Sequence, residues 1–239
     1  MRKLLMWVPF KVTQNLHYDR LTKKIIHQIL SANANAIDVG CHKGEVMDII
    51  LKAAPLGKHL GIEPIPELAK KLKEKYENIA VEIHAVALSD VPGISDFNLV
   101  ISNPAYSGLK RRKYDRKEHD KSIEIDVRKL DDLVPKDFQV DLIKIDVEGG
   151  ELGVLKGAIG LLKKWHPVLI FEHGKGGADQ YGYGPTEMFK FLANLNYRIH
   201  TLDGFVKQKS PESQESFIEV FEKAKEYYFV AEQKNGPKN

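Results

Sequence analysis

The spacing of apolar positions changes along the chain, and the changes predict the order of its elements. In residues 18–30, Leu21, Ile25, Ile26, Ile29 and Leu30 fall at helical spacing, which predicts an amphipathic helix ended by Asn33 and Asn35. Residues 36–40 then read as a short buried strand running into a glycine turn, followed by a helix over 46–54. A second strand over 59–63, a helix over 66–76 opened by proline and glutamate, and a third strand over 79–87 come next. This βαβαβ series with short links predicts a parallel sheet covered by helices on both faces.

The rhythm breaks in the middle. Two strand-like runs, 94–100 and 122–127, flank a polar loop over 102–121, which predicts an antiparallel insertion between strands three and four. Alternation resumes with a strand over 142–146, a helix over 151–165 and a strand over 168–172. A helix over 186–195, a strand over 197–202, a helix over 216–225 and a final strand over 227–231 complete the series. The expected fold class is α/β, a Rossmann-like doubly wound and mostly parallel sheet of about seven strands. A helical segment over 1–33 is expected to precede one globular domain over 34–239.

Composition narrows the function classes. The net charge of +3 on 239 residues gives no global electrostatic case for nucleic acid or an anionic membrane. Cys41 is the single cysteine, so no internal disulfide can form, which fits a reducing compartment. Met1-Arg2-Lys3 precedes the short apolar run Leu4 to Val8 like a leader, but Pro9 interrupts it and no small-residue cleavage site follows. No apolar stretch approaches the roughly 20 residues of a spanning helix. A soluble cytoplasmic protein without a membrane partner is expected.

Open parallel sheets bind ligands outside the carboxyl ends of their strands, and three such ends here carry suitable chemistry. After the first strand comes Asp38-Val39-Gly40-Cys41-His42-Lys43-Gly44, where Gly40 permits a sharp turn and Gly44 a close helix. Glu63 ends the second strand, about 20 residues on, where a carboxylate accepts both ribose hydroxyls. Pro64 follows it, and Ala87, Leu88 and Ser89 lie at the end of the third strand, where a base could be bracketed. A dinucleotide fingerprint needs a bare middle glycine, and neither glycine register supplies one. The loop therefore suits a nucleoside cofactor without phosphates.

Strand four ends in Ile143-Lys144-Ile145-Asp146-Val147-Glu148-Gly149-Gly150-Glu151, three carboxylates around two glycines. Together with Ile37-Asp38-Val39-Gly40, Glu63-Pro64, Ala87-Leu88-Ser89-Asp90 and Leu130-Asp131-Asp132-Leu133, this string resembles the FkbM-like family of class I methyltransferases. Ser107-Gly108 and Phe171-Glu172-His173 are similar too, and the resemblance covers roughly residues 34–200. It implies S-adenosylmethionine as cofactor and methyl transfer to a hydroxyl of a sugar or small metabolite. Carried over by position, it implies cofactor contacts for Asp38, Gly40, Gly44 and Glu63. Cys41 in the same loop, Pro64, Ala87, Leu88, Ser89 and Asp146 complete the expected cofactor contacts. The resemblance places Asp146 and Glu148 at the reaction centre.

An alcohol acceptor must lose a proton, and the candidate bases are Glu148, Asp146, Glu172 and His173, of which His173 has the most suitable ordinary pKa. The same four could ligate a divalent cation, though no metal is predicted. Two other functions compete. Lys110 to Lys117 is a basic run that could serve an RNA acceptor, although a solvated loop or a substrate lid is the simpler expectation and nucleic acid is not the expected partner. A non-catalytic protein that merely holds the cofactor is the other, and the carboxylates at Asp146 and Glu148 argue against it.

Overall fold

The computed structural model describes residues 10–114 and 117–234. The leader-like residues 1–9, and Asp115 and Arg116 of the basic run, lie outside the described residues. Strand β1 (Ala36–Val39) sits centrally, with β2 (His59–Ile62) and β3 (Val81–His84) on one side of it. On the other side lie β7 (Leu142–Ile145), β8 (Val168–Glu172), β10 (Tyr228–Gln233) and β9 (Tyr197–Thr201), in that spatial order. All neighbours are parallel except β10, which runs antiparallel to both β8 and β9. The strand order reverses at β1, which makes its carboxyl end the expected ligand crevice.

The period of two along each strand divides the core into two layers. Ile37, Val39, Ile143, Ile145, Phe171 and Phe229 face one buried layer, and Ala36, Leu142, Ile170 and Val230 face the other. The second layer is closed by α1 (Phe10–Ile29), whose Tyr18, Ile25 and Ile26 are buried there. By the same alternation Asp38 and Lys144 fall on this second face, so charge is built into an otherwise apolar layer. No described helix is long and apolar enough to cross a membrane.

Three predicted elements differ from the structure, and one helix lies where none is predicted. Helix α1 starts well before residue 18, because its polar residues find tertiary partners: Gln14 Nε2 donates to the Lys225 carbonyl (3.2 Å), and the Tyr18 hydroxyl donates to Glu226 (2.5 Å). The third strand ends at His84, and Ala87–Leu88 form a separate β4 that leaves the main sheet to pair with β6 (Asp120–Arg128). With β5 (Gly93–Val100) these make an independent three-stranded sheet, so the insertion is a layer of its own. The helix predicted over 151–165 is two, α5 (Glu151–Lys156) and α6 (Ile159–Trp165). Asp131 explains the break: its carboxylate accepts the first free N–H groups of α6, from Gly160 and Leu161, both at 2.8 Å. A short helix, α8 (Leu202–Val206), was not foreseen; Thr201 caps it by accepting the Gly204 N–H at 3.0 Å.

Candidate active site

A cleft of about 680 Å³ opens at the carboxyl ends of β1, β2 and β7. Gly40 and His42 line it from the glycine loop, Glu63 and Pro64 from the end of β2, and Ala87 and Leu88 from β4. Asp146, Val147 and Gly150 line it after β7, and Pro104, Ala105, Ser107 and Gly108 roof it from the insertion. Gly40 holds a left-handed φ of +80°, and a Cβ there would stand 1.9 Å from the Asp146 carbonyl oxygen. The β1 turn can cross the end of β7 this closely only without a side chain.

Glu63 is nearly buried and is fixed by the backbone: one oxygen accepts the His42 N–H (2.8 Å) and the other the Ile65 N–H (2.9 Å). Burial pushes its carboxyl up to about 7, against the pull of those two bonds. Each oxygen retains a second lone pair, which is the acceptor chemistry that a pair of ribose hydroxyls requires. Ile65, Val86, Leu88 and Phe97 give the neighbouring wall the apolar character a purine face needs. The acceptor at Glu63 and the apolar wall beside it therefore fit an adenosine-type cofactor.

Four of the expected cofactor residues do not line this cleft. Asp38 is fully buried beneath the loop, 3.5 Å from Lys144 Nζ, and burial pushes its carboxyl up while Lys144 opposes. Cys41 is buried with its thiol donating to the Asp38 carbonyl (3.1 Å), and burial, then the Asp38 charge, holds the thiol well above its ordinary range. Gly44 serves packing, since a Cβ there would come within 2.2 Å of the Tyr76 hydroxyl. Ser89 faces an adjoining cleft with Asp90 and Lys156. Asp38, Cys41 and Gly44 shape the site from behind because strand alternation and the tight loop turn them inward.

Beyond Asp146 the chain gathers charge. Carboxylate oxygens of Asp146, Glu148 and Glu172 all lie within 4.8 Å of one another. Burial works to raise the Asp146 carboxyl, but the Lys144 charge (3.5 Å) and hydrogen bonds from Tyr228 and Glu172 hold it below the usual carboxylate range. Burial and the charges of Asp146 and Glu151 push Glu172 well up, so Glu172 carries the proton of this pair. Lys144 stays charged because Asp146 and Asp38 more than offset its burial. Glu148 has a left-handed φ of +59° and is ion-paired with Arg112, whose guanidinium lies 5.0 Å from the centre of the Tyr106 ring. Glu151 plays a structural part, accepting the Val147 and Gly149 N–H groups at 3.2 and 3.0 Å.

His173 does not join them. Its ring is fully buried and stacked by Tyr183, Phe217 and Phe221, with centroids 5.7, 5.6 and 4.8 Å away. Neither ring nitrogen meets a hydrogen-bond partner among the described residues. Burial lowers its pKa to about 4. The candidate base of most suitable ordinary pKa is thus removed from the site, because residues 172 and 173 point to opposite faces of the sheet. Lys144, Arg112 and Tyr228 were missed as site residues. The period of two could have linked Lys144 to Asp146, but no local signal brings Arg112 or Tyr228 to them.

Strand order, crevice position and the adenosine-compatible wall define a class I methyltransferase fold. The sequence profile of the methyltransferase FkbM domain matches residues 38–199, and the chain belongs to that family. A crystal structure of methyltransferase FkbM from Methylobacillus flagellatus KT is similar at 16% identity and TM-score 0.53, covering 84% of this chain and 44% of that one. The chain thus spans less than half the length of that protein. An O-methyltransferase from Bacillus cereus, solved with S-adenosylhomocysteine (SAH), is similar at 11% identity and TM-score 0.50, covering 91% and 81% of the two chains. No curated protein matches the chain significantly in sequence.

Proposed function

We propose that this protein is an S-adenosylmethionine-dependent O-methyltransferase acting on a hydroxyl of a sugar or small metabolite. The observation that carries the reading is the junction of two surfaces at Asp146: the adenosine-compatible cleft ends there, and the carboxylate group begins there. When bound, S-adenosylmethionine supplies an activated methyl group. Glu63 would hold the ribose hydroxyls, and Asp146, kept anionic, would accept the ammonium of the cofactor's amino acid. Glu148, within 4.8 Å of Asp146, would take the proton of the acceptor hydroxyl once Arg112 releases it. Alignment of the acceptor in the cleft supplies much of the remaining acceleration.

Family membership supports methyl transfer, and the SAH-bound Bacillus cereus O-methyltransferase supports both the cofactor and an oxygen acceptor. The test is a transfer screen with methyl-labelled cofactor across glycans, small hydroxylated metabolites and RNA. Label on a sugar or metabolite oxygen is expected. Label on RNA alone, or calorimetric binding of NAD tighter than that of S-adenosylmethionine, overturns the reading.

A further inference from the structure

The antiparallel strand β10 enters the sheet with its first residue at the carboxyl end of β8, and Tyr228 is paired directly with Glu172. On the other side of β8, Ile145 of β7 is paired with Phe171, which brings Asp146 level with Glu172. Three neighbouring strands therefore set Asp146, Glu172 and Tyr228 in one row on one face of the sheet. The Tyr228 hydroxyl donates to Asp146 Oδ2, the same oxygen that Lys144 Nζ approaches at 3.5 Å. The Tyr228 ring is braced by Tyr18 of α1 (5.4 Å between centroids) and by Tyr227 (5.7 Å).

We propose that Tyr228 is a positioning residue, whose hydroxyl locks the Asp146 carboxylate in the orientation that meets the cofactor. The role rests on the cofactor assignment given above and adds a residue from the carboxyl-terminal strand, outside every motif shared with the family. Lys144 supplies charge at 3.5 Å and Glu172 a hydrogen bond, but an ammonium at that distance is compatible with several carboxylate rotamers. The Tyr228 hydroxyl, a directed donor on the oxygen that Lys144 approaches, narrows that freedom. Burial, then the charge of Asp146, keep the phenol protonated and therefore donating. The other charged groups facing Asp146 are Asp38 from β1, His42 from the glycine loop, Glu148 beside it, and Glu151 from α5.

The test compares the wild type with Tyr228→Phe, which keeps the ring contacts and removes only the hydroxyl. Carbon-13 NMR of labelled aspartate, with Asp146→Asn assigning the signal, follows the Asp146 carboxyl without any ligand. Losing a donor to the charged form should raise its titration midpoint by about one pH unit. Calorimetry with SAH should show Tyr228→Phe binding about tenfold more weakly, and the double variant Tyr228→Phe/Asp146→Asn binding no worse than Asp146→Asn alone. Tyr18→Phe, which alters the same aromatic group without touching Asp146, should leave both readouts at the wild-type value.

An unmoved Asp146 midpoint, losses that multiply in the double variant, or an equal effect from Tyr18→Phe overturns the proposal. Should Tyr228→Phe fail to fold, fluorotyrosine incorporated throughout the wild-type sequence gives the decision, since a stronger donor must lower the midpoint. If the wild type does not bind SAH, the cofactor assignment fails, while the NMR midpoint still decides whether Tyr228 governs Asp146.

Discussion

Glu172 and His173 are neighbours at the end of one strand, yet they belong to regions of opposite character. On one face, Glu172 joins Asp146, Lys144 and Tyr228 in a network where each charge or donor has a partner. On the other face, His173 stacks among Tyr183, Phe217 and Phe221 with no polar partner among the described residues. Both groups are buried and both are held neutral. Glu172 is neutral because burial and the adjacent anions disfavour its charge, and His173 because burial among aromatic rings outweighs the pull of Glu187. Neutrality alone thus says little about chemistry; the neighbours decide it.

The sharpest way to break this contrast is to remove a base from each side. Glu148→Ala should keep affinity for SAH but lower turnover on an identified acceptor by about 10²- to 10⁴-fold, the range for loss of a general base. His173→Phe should leave turnover close to wild type. A large loss from His173→Phe with full activity in Glu148→Ala would reverse the assignment.

The pH dependence of stability isolates the aromatic side. His173 has a folded pKa of about 4, below its ordinary 6.5, so the unfolded chain binds a proton there that the folded chain does not. Its contribution is therefore lost as pH falls from 6.5 through about 4, and the shift corresponds to about 3 kcal/mol. Urea denaturation across that range should show wild type losing this amount relative to His173→Phe. Glu63 and Glu151 have the opposite sign: both are raised to about 7 by burial, and their contribution is lost as pH rises through that value. They are present in both proteins, so the difference between the two curves reports His173.

Smaller effects sharpen the polar side. Glu172→Gln keeps a hydrogen-bond donor beside Asp146 and should bind SAH within about threefold of wild type, while Glu172→Ala should lose roughly tenfold. Equal losses in both variants would mean that the proton on Glu172 has no part in holding Asp146. Smallest of all, a chelator such as EDTA should leave turnover unchanged, because Lys144 and Arg112 already supply positive charge to the carboxylates. Activity restored only by added magnesium would contradict that.

Much of the sheet was legible because buried strands and amphipathic helices differ in period. β8 (Val168–Glu172) and β1 (Ala36–Val39) fall where apolar runs meet glycine or polar residues. The break at Gly157 was not legible, since the groups that end α5 and start α6 are answered by Asp131, far away in sequence. Site residues divided in the same manner. Gly40, Glu63, Pro64, Ala87, Leu88 and Asp146 line the cleft as their strand-end positions implied. Asp38, Cys41, Gly44 and Ser89 sit in equally suggestive segments but turn away from it.

By itself, then, the sequence determined the alternation of strands and helices, a glycine loop without the middle glycine of a dinucleotide fingerprint, and the acidic string after β7. These depend on local spacing, which the chain carries along its length. Only the tertiary structure decided which carboxyl keeps its proton, that Arg112 answers Glu148, and that Tyr228 from the last strand reaches Asp146. Those outcomes depend on register between strands far apart in the chain and on which face each residue meets, and no local pattern encodes either.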